Sequence, residues 1–438
     1  MPAISGNLTL TLDGSTALRI GSETVRWNGS RAMDGVFVWS AAATPLREVA
    51  ITLTASEWFM STLTTGGATR VTLTDAASGG DRQISAVQLY GDGDHVVNLS
   101  RTQVDYLATG DGDDRVTVGG SWVPQINTHG GNDTVTSGST WVETLHVGSG
   151  NNTVTIGAGG ARAVLAGEGA DIITLVGEVD HVSGGRGADL ITTGENWAGT
   201  IEAGRGTDRV VIGAGGATHV NLGRDADTLV LSQQDNADSI IILQGGGNVS
   251  TPQDRDSDTL DLSAFTVGLT YDLGQTSAVR TTQGSFFALG FENVIGGRGA
   301  DRLSGNDEDN RIVGGAGRDT LQGDMGRDTL VGGGGADRFV FTDLEESDTD
   351  APDLITDFRR GQGDRIDLRA LDANQDQTGD QAFTFIGTTA FSGTAGELRA
   401  QVEGNRTLIT ADLDGDGTAD FGLLLNGTAT LNAGAFLL

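Results

Sequence analysis

Residues 296–340 read GGRGADRLS (296–304), GNDEDNRIV (305–313), GGAGRDTLQ (314–322), GDMGRDTLV (323–331) and GGGGADRFV (332–340), and Phe341 follows. These five nonapeptides run in unbroken register, and their sixth positions are Asp301, Asn310, Asp319, Asp328 and Asp337. A glycine opens each unit, which predicts a turn with φ > 0 there, a conformation only glycine adopts cheaply. The eighth positions (Leu303, Ile312, Leu321, Leu330 and Phe339) predict short strands that each send one side chain inward. Two units make one coil. Asp301, Asp319 and Asp337 are therefore expected on one edge, with Asn310 and Asp328 on the other.

Stacked coils lie about 4.8 Å apart. At that distance two carboxylates repel by roughly 1 kcal/mol in water and about 3.5 kcal/mol at an effective dielectric near 20. An unneutralised file of aspartates opposes the stack that creates it, and a hard divalent cation between turns reverses the sign. The run matches GGxGxDxUx and so resembles the calcium-binding nonapeptide of RTX proteins. The resemblance implies a parallel β-roll binding several Ca2+ ions. Asp301, Asn310, Asp319, Asp328 and Asp337 would be the side-chain ligands, joined by turn carbonyls such as those of Gly296, Gly314, Gly323 and Gly332.

The composition agrees. Twenty-seven arginines, no lysine and fifty-nine acidic residues leave a net charge of −32, and 69 glycines face only 5 prolines. Such acidity argues against a nucleic-acid partner. With no cysteine there are neither disulfides nor thiolate metal sites. The opening MPAISGNLTLTLDG lacks the pattern of an ordinary secretory signal, and no apolar run reaches the ~18–20 residues of a membrane span.

Residues 1–88 read as a β-rich region in which Leu8, Leu10 and Leu12 alternate with threonine, with Trp27, Trp39, Trp58 and Phe59 as candidate core. Over 89–245 a second repeat takes over. His95, Asp114, Asp133, Asn152, Asp171, Asp189, Asp208 and Asp227 recur at spacings of 19, 19, 19, 19, 18, 19 and 19. On the opposite wall Ile126, Leu145, Val164, Val182, Ile201 and Val220 keep the same time. The expectation is a parallel β-solenoid of about 19 residues per coil continuing into the β-roll. Asp114, Asp133, Asp171, Asp189, Asp208 and Asp227 are candidate calcium ligands. Arg186, Arg205 and Arg224 also recur, three residues before their aspartates, so an arginine–aspartate ladder is the alternative. His95, Asn152 and His129 interrupt the pattern and predict weak or empty positions; the histidines read as turn residues. Trp122, Trp141 and Trp197 occupy matching positions on the other edge.

Residues 246–295, with the acidic loop Asp254, Asp256 and Asp258, read as a connecting β segment. Residues 342–438 resemble the C-terminal domain of serralysin-type secreted proteases, which implies a cap on the β-roll and export through a type I channel by an uncleaved C-terminal signal. Within this region Asp412, Asp414, Asp416 and Asp420 sit in DLDGDGTAD, where alternate carboxylates can wrap a cation while glycine permits the sharp turn. Phe436-Leu437-Leu438 fits either an export tail or a last core strand.

No HExxH, Tyr-Gly-x-Asp-Pro-His or GxSxG pattern occurs, so the expectation is no enzyme. The fold class read from the sequence is all-β, a solenoid running into a calcium β-roll between β-rich N- and C-terminal domains. The expected function is a secreted calcium-binding structural protein that folds on extracellular calcium and self-associates at the cell surface, as a surface layer or matrix. The alternative is a calcium-dependent adhesin or glycan binder for cell-surface polysaccharide or lipopolysaccharide; a polysaccharide-active enzyme ranks behind both. No membrane insertion is expected.

Overall fold

A computed structural model describes residues 70–76, 82–236, 239–246, 257–374 and 377–438, together with strand segments between residues 7 and 66. The side chains of Trp27, Trp39, Trp58 and Phe59 lie outside the described residues, as do Asp254 and Asp256. The protein is all-β and forms a parallel β-solenoid; its described helical turns are the short 3-10 segments Leu344–Glu346 and Ala433–Ala435. No helix among the described residues is long and apolar enough to cross a membrane. The chain divides into two compact units, Met1–Arg224 and Asp225–Leu438.

In the first unit, four-residue strands build one parallel wall. Val97, Val116, Val135, Val154, Ile173, Ile191 and Val210 stack rung on rung. The facing wall stacks Ile126, Leu145, Val164, Val182, Ile201 and Val220. All these side chains are buried. Alternation along each strand sends the intervening residues to solvent, so the core is two side chains deep and nearly every coil supplies both halves. Each buried Val, Leu or Ile contributes roughly 1.5–3 kcal/mol relative to exposure. The parallel ladder starts ahead of residue 89, because Val49 pairs with Val71 and Leu73 with Val97. The rung linking Val71 to His95 spans 24 positions instead of 19, which conceals it in the sequence.

Close stacking of turns demands glycine. At Gly204, φ is +127°, and an added Cβ would lie 2.1 Å from the carbonyl oxygen of Gly185. Gly204→Ala is expected to lower stability in calcium by about 2–3 kcal/mol. Gly334, with nothing within 4 Å of its Cβ position, should accept alanine at no cost. Thermal denaturation of the two variants checks the contrast.

In the second unit the nonapeptide strands alternate between two walls. Asn293–Ile295, Arg311–Gly317, Thr329–Gly335 and Asp353–Ile355 pair in order on one. Thr270–Asp272, Arg302–Ser304, Thr320–Gln322, Arg338–Val340 and Arg365–Asp367 pair on the other. Leu303, Ile312, Leu321, Leu330 and Phe339 are each 0 % exposed between them. An antiparallel sheet of Glu397–Glu403, Arg406–Asp412 and Phe421–Asn426 follows, its last strand joining Asp353–Ile355 in parallel. Phe436–Leu437 pairs with Arg365–Asp367, so this end of the sequence forms a strand.

Candidate metal centres

Each edge aspartate stands one residue ahead of a strand, where the turn closes onto the wall. Its Oδ1 accepts the backbone N–H of the equivalent residue one coil earlier. Asp114 accepts from His95 at 2.7 Å, Asp133 from Asp114 at 2.8 Å, Asp171 from Asn152 at 2.7 Å, Asp189 from Asp171 at 2.8 Å and Asp208 from Asp189 at 2.8 Å. In the second unit Asp319 accepts from Asp301 at 2.8 Å and Asp337 from Asp319 at 3.0 Å, while Asp328 accepts from Asn310 at 2.7 Å on the other edge. Asp227 donates its own N–H to Asp258 Oδ1 at 2.8 Å.

The second oxygen sets these carboxylates apart. Oδ2 of Asp114, Asp133, Asp171, Asp189, Asp319, Asp328 and Asp337 is buried and has no hydrogen-bond partner. A buried ionised carboxylate with a bare oxygen costs several kcal/mol unless something positive meets it. Burial raises the pKa of Asp114, Asp133 and Asp319 to about 7 and of Asp328 to about 9. A file of hard, anionic, unpartnered oxygens suits a divalent cation with oxygen ligands.

The glycine that opens each nonapeptide serves this oxygen rather than the turn. A Cβ at Gly296, Gly314, Gly323 or Gly332 would lie 2.7, 2.6, 2.1 or 2.6 Å from Oδ2 of Asp301, Asp319, Asp328 or Asp337. Positive φ falls instead at the second and fourth positions, at Gly315 (101°), Gly317 (148°), Gly333 (90°) and Gly335 (150°). The expectation of φ > 0 at the opening glycine is therefore corrected: that glycine makes room for the carboxylate.

Three rungs place a donor where the others leave Oδ2. Asn152 Nδ2 donates to the turn carbonyl of Gly150 at 3.0 Å. Asn310 Nδ2 donates to Glu292 O at 2.9 Å and to Asn306 Oδ1 at 3.0 Å. His95 sits in the turn one residue ahead of Val96–Leu99 and is buried as a rung there; its Nδ1 accepts the Val71 N–H at 3.1 Å, so its proton sits on Nε2. Burial lowers the His95 pKa to about 4, which keeps the ring neutral. Asn152→Asp should remove one such donor. The expected result is additional bound calcium by equilibrium dialysis and a gain of roughly 1.4 kcal/mol in excess ion, for a site whose Kd lies tenfold below the ion concentration.

Arg186 does not neutralise Asp189. It reaches Glu168 of the preceding coil at 3.1 Å, which removes the arginine–aspartate alternative at that rung. In the C-terminal sheet Asp412, Asp414 and Asp420 bring one oxygen each within 4.8 Å of one another. Asp412 is buried, and its oxygens accept the N–H groups of Gly415 (2.8 Å) and Gly417 (3.0 Å). Asp416, expected with them, turns aside to the backbone and hydroxyl of Thr418, which lower its pKa.

Sequence reading missed further rungs. Asp353 Oδ1 accepts from Asp328 N at 2.7 Å across 25 positions, and its buried Oδ2 is bare. Asp364 accepts from Asp337 N at 3.1 Å across 27 positions. Glu292 accepts from Asp258 N at 2.7 Å across 34 positions. The available signal was an aspartate that opens or immediately precedes a short strand, as in Asp353-Leu354-Ile355 and Asp364-Arg365-Ile366.

Residues 254–437 match the family described as Peptidase M10 serralysin C terminal, and residues 165–196 match the RTX calcium-binding nonapeptide repeat. The second match covers Asp171 and Asp189, on the edge where the sequence alone left calcium and arginine open. Among curated proteins, Serralysin G of Dickeya chrysanthemi is 49 % identical over 32 % of this chain and 28 % of its own length. Metalloprotease AprA of Pseudomonas entomophila (strain L48) is 41 % identical over 41 % of this chain and 36 % of its own. The chain thus spans about a third of the relatives it matches, and the matches fall in their repeat and C-terminal regions rather than in a protease domain. Among solved structures, the AlgE6R3 subunit of the Azotobacter vinelandii mannuronan C5-epimerase is 26 % identical, covering 44 % of this chain and 84 % of that one at a TM-score of 0.22, too low to carry a structural argument. Calcium binding and type I export to the cell exterior follow from the two family matches.

Proposed function

We propose, for a chain that carries RTX calcium-binding repeats and a serralysin C-terminal domain, that its edge aspartates hold the calcium and that the calcium-loaded protein is a structural component of the cell surface. The observation that carries the reading is the file of buried, unpartnered Oδ2 atoms. Bound calcium supplies compensating positive charge between successive coils. The residues that would hold it are Asp114 with Asp133; Asp171, Asp189 and Asp208; Asp227; Asp301, Asp319 and Asp337; and Asp328 with Asp353. Asp412, Asp414 and Asp420 would form a separate site. Where calcium is scarce the carboxylates repel and the chain stays open for export; where it is abundant the coils close. The edge aspartates are engaged in this role, which favours a scaffold over an enzyme. Electron microscopy of the purified protein tests the assembly: ordered sheets or filaments in calcium, absent in chelator, are expected, and dispersed particles in both would overturn it.

One observation favours a second reading. Trp122 and Trp141 are register partners on adjacent coils, and Trp122 and Trp197 are 44 % and 40 % exposed. Stacked aromatic faces one coil apart suit the successive rings of a neutral glycan. Affinity electrophoresis against neutral and acidic polysaccharides, with Trp122→Ala/Trp141→Ala as the control, distinguishes an adhesin from a self-assembling scaffold.

A further inference from the structure

The exposed rim of the turns in the first unit changes sign along its length. One file of residues runs Asp92, Asp111, Gly130, Ser149, Glu168, Arg186, Arg205 and Arg224, all exposed except the buried Gly130. Strand register fixes its later members, pairing Ser149 with Glu168, Glu168 with Arg186, Arg186 with Arg205, and Arg205 with Arg224. Gly130 bridges to Ser149, and close backbone contacts of Gly110 with Gly91 and Gly112 with Gly93 set Asp111 over Asp92. A neighbouring file, also exposed, runs Asp94, Asp113, Asn132, Asn151 and Ala170, each side-chain oxygen accepting the next residue's N–H. The early coils therefore present Asp92, Asp94, Asp111 and Asp113, and the late coils Arg186, Arg205 and Arg224, with Gly130, Ser149, Asn132 and Asn151 neutral between them.

Like charges directly opposite on adjacent strands are destabilising, and the chain does little to relieve them. Arg186 is offset by Glu168 at 3.1 Å. Among the described residues, Arg205 and Arg224 have no carboxylate within ion-pair distance. Arg115 beside the acidic end and Asp225 beside the basic end temper the gradient without reversing it. The two ends stand several coils apart, beyond the ~8 Å screening length of physiological salt, so they act as separate patches.

We propose that this rim is an interface with a second copy of the chain, laid antiparallel. About a two-fold axis between Ser149 and Glu168, Asp92 of one copy faces Arg224 of the other, Asp111 faces Arg205, Gly130 faces Arg186, and Ser149 faces Glu168. Every charged member then meets an opposite or neutral residue, and the contact is isologous. Parallel alignment instead sets aspartate on aspartate and arginine on arginine. The inference rests on the reading of the protein as a self-assembling scaffold and names the surface that begins the assembly.

Sedimentation equilibrium of the calcium-loaded full chain tests it, using wild type, Arg205→Glu/Arg224→Glu, and Asp92→Arg/Asp111→Arg. These side chains are exposed, so circular dichroism should be unchanged. Wild type should self-associate, with the association constant falling at least tenfold between 50 and 500 mM salt. Each variant alone should stay monomeric, and an equimolar mixture of the two should regain wild-type association, because the outer ends of the file are both acidic in one variant and both basic in the other. Association of either variant alone at wild-type strength overturns the interface while leaving self-assembly standing. A wild type that remains monomeric in calcium overturns both.

Discussion

Transferred from millimolar calcium to chelator at pH 7.5, the protein should lose most of its β-sheet circular dichroism in one cooperative step and regain it when calcium is restored. The buried oxygens of Asp114, Asp133, Asp171, Asp189, Asp319, Asp328, Asp337 and Asp353 make this the largest effect expected. Several sites, each worth roughly 1.4 kcal/mol when the ion is tenfold above Kd, together exceed the ~5–15 kcal/mol margin of an ordinary domain only if many are filled. The transition should therefore sharpen as sites fill. Acid offers a second route to the same fold. Burial raises the folded-state pKa of Asp114, Asp133 and Asp319 to about 7 and of Asp353 to about 8. For a carboxyl with a raised folded pKa, the stabilising protonation is complete below its unfolded pKa near 4 and is lost as pH rises through the folded value. Metal-free protein should thus recover structure between about pH 7.5 and pH 5, without calcium. A chelated sample with an unchanged spectrum at pH 7.5 would contradict the whole account.

Asp319→Asn should destabilise the protein in calcium and stabilise it in chelator. The amide keeps an acceptor for the Asp301 N–H but replaces the bare Oδ2 with a donor, as Asn152 already does in the first unit. In calcium the loss comes from removed ligands. In chelator the gain comes from deleting a buried carboxylate flanked by Asp301 and Asp337, whose charges add to the burial that raises its pKa. Each effect is expected at roughly 2 kcal/mol: in calcium the urea midpoint should fall, and in chelator the pH at which acid restores β-sheet circular dichroism should rise. A purely structural aspartate would give the same sign in both buffers.

The solenoid was legible wherever a coil holds 18 or 19 residues, because the aspartate and the wall residues then recur together. It faded where a loop lengthens the coil. The rungs from Asp227 to Asp258 and from Asp258 to Glu292 span 31 and 34 positions, yet hydrogen-bond in the same way as the short ones. The Val71–His95 rung was hidden twice, by its length and by an imidazole standing where a carboxylate was sought. The opening glycines were assigned the wrong cause, a turn with φ > 0, since sequence shows that a side chain is absent and not what fills the space. Arg186 misled because a spacing of three residues to Asp189 says nothing about direction, and the strand carries the arginine outward to Glu168. At the C-terminal site alternate spacing favoured Asp416, whereas local bonds to Thr418 hold it away from Asp412, Asp414 and Asp420.

The links that the buried edge carboxylates make between coils all run one way. The accepting oxygen belongs to the later residue and the donating N–H to the earlier one, as in Asp133 to Asp114 and Asp337 to Asp319. A chain ordering from its C-terminal end would offer each arriving coil a poised acceptor. Ordering from the other end would leave the carboxylate to be placed last. The stack then behaves as a ratchet, each rung a pawl that catches the strand behind it, and growth in that direction would draw the remaining polypeptide forward and resist its sliding back.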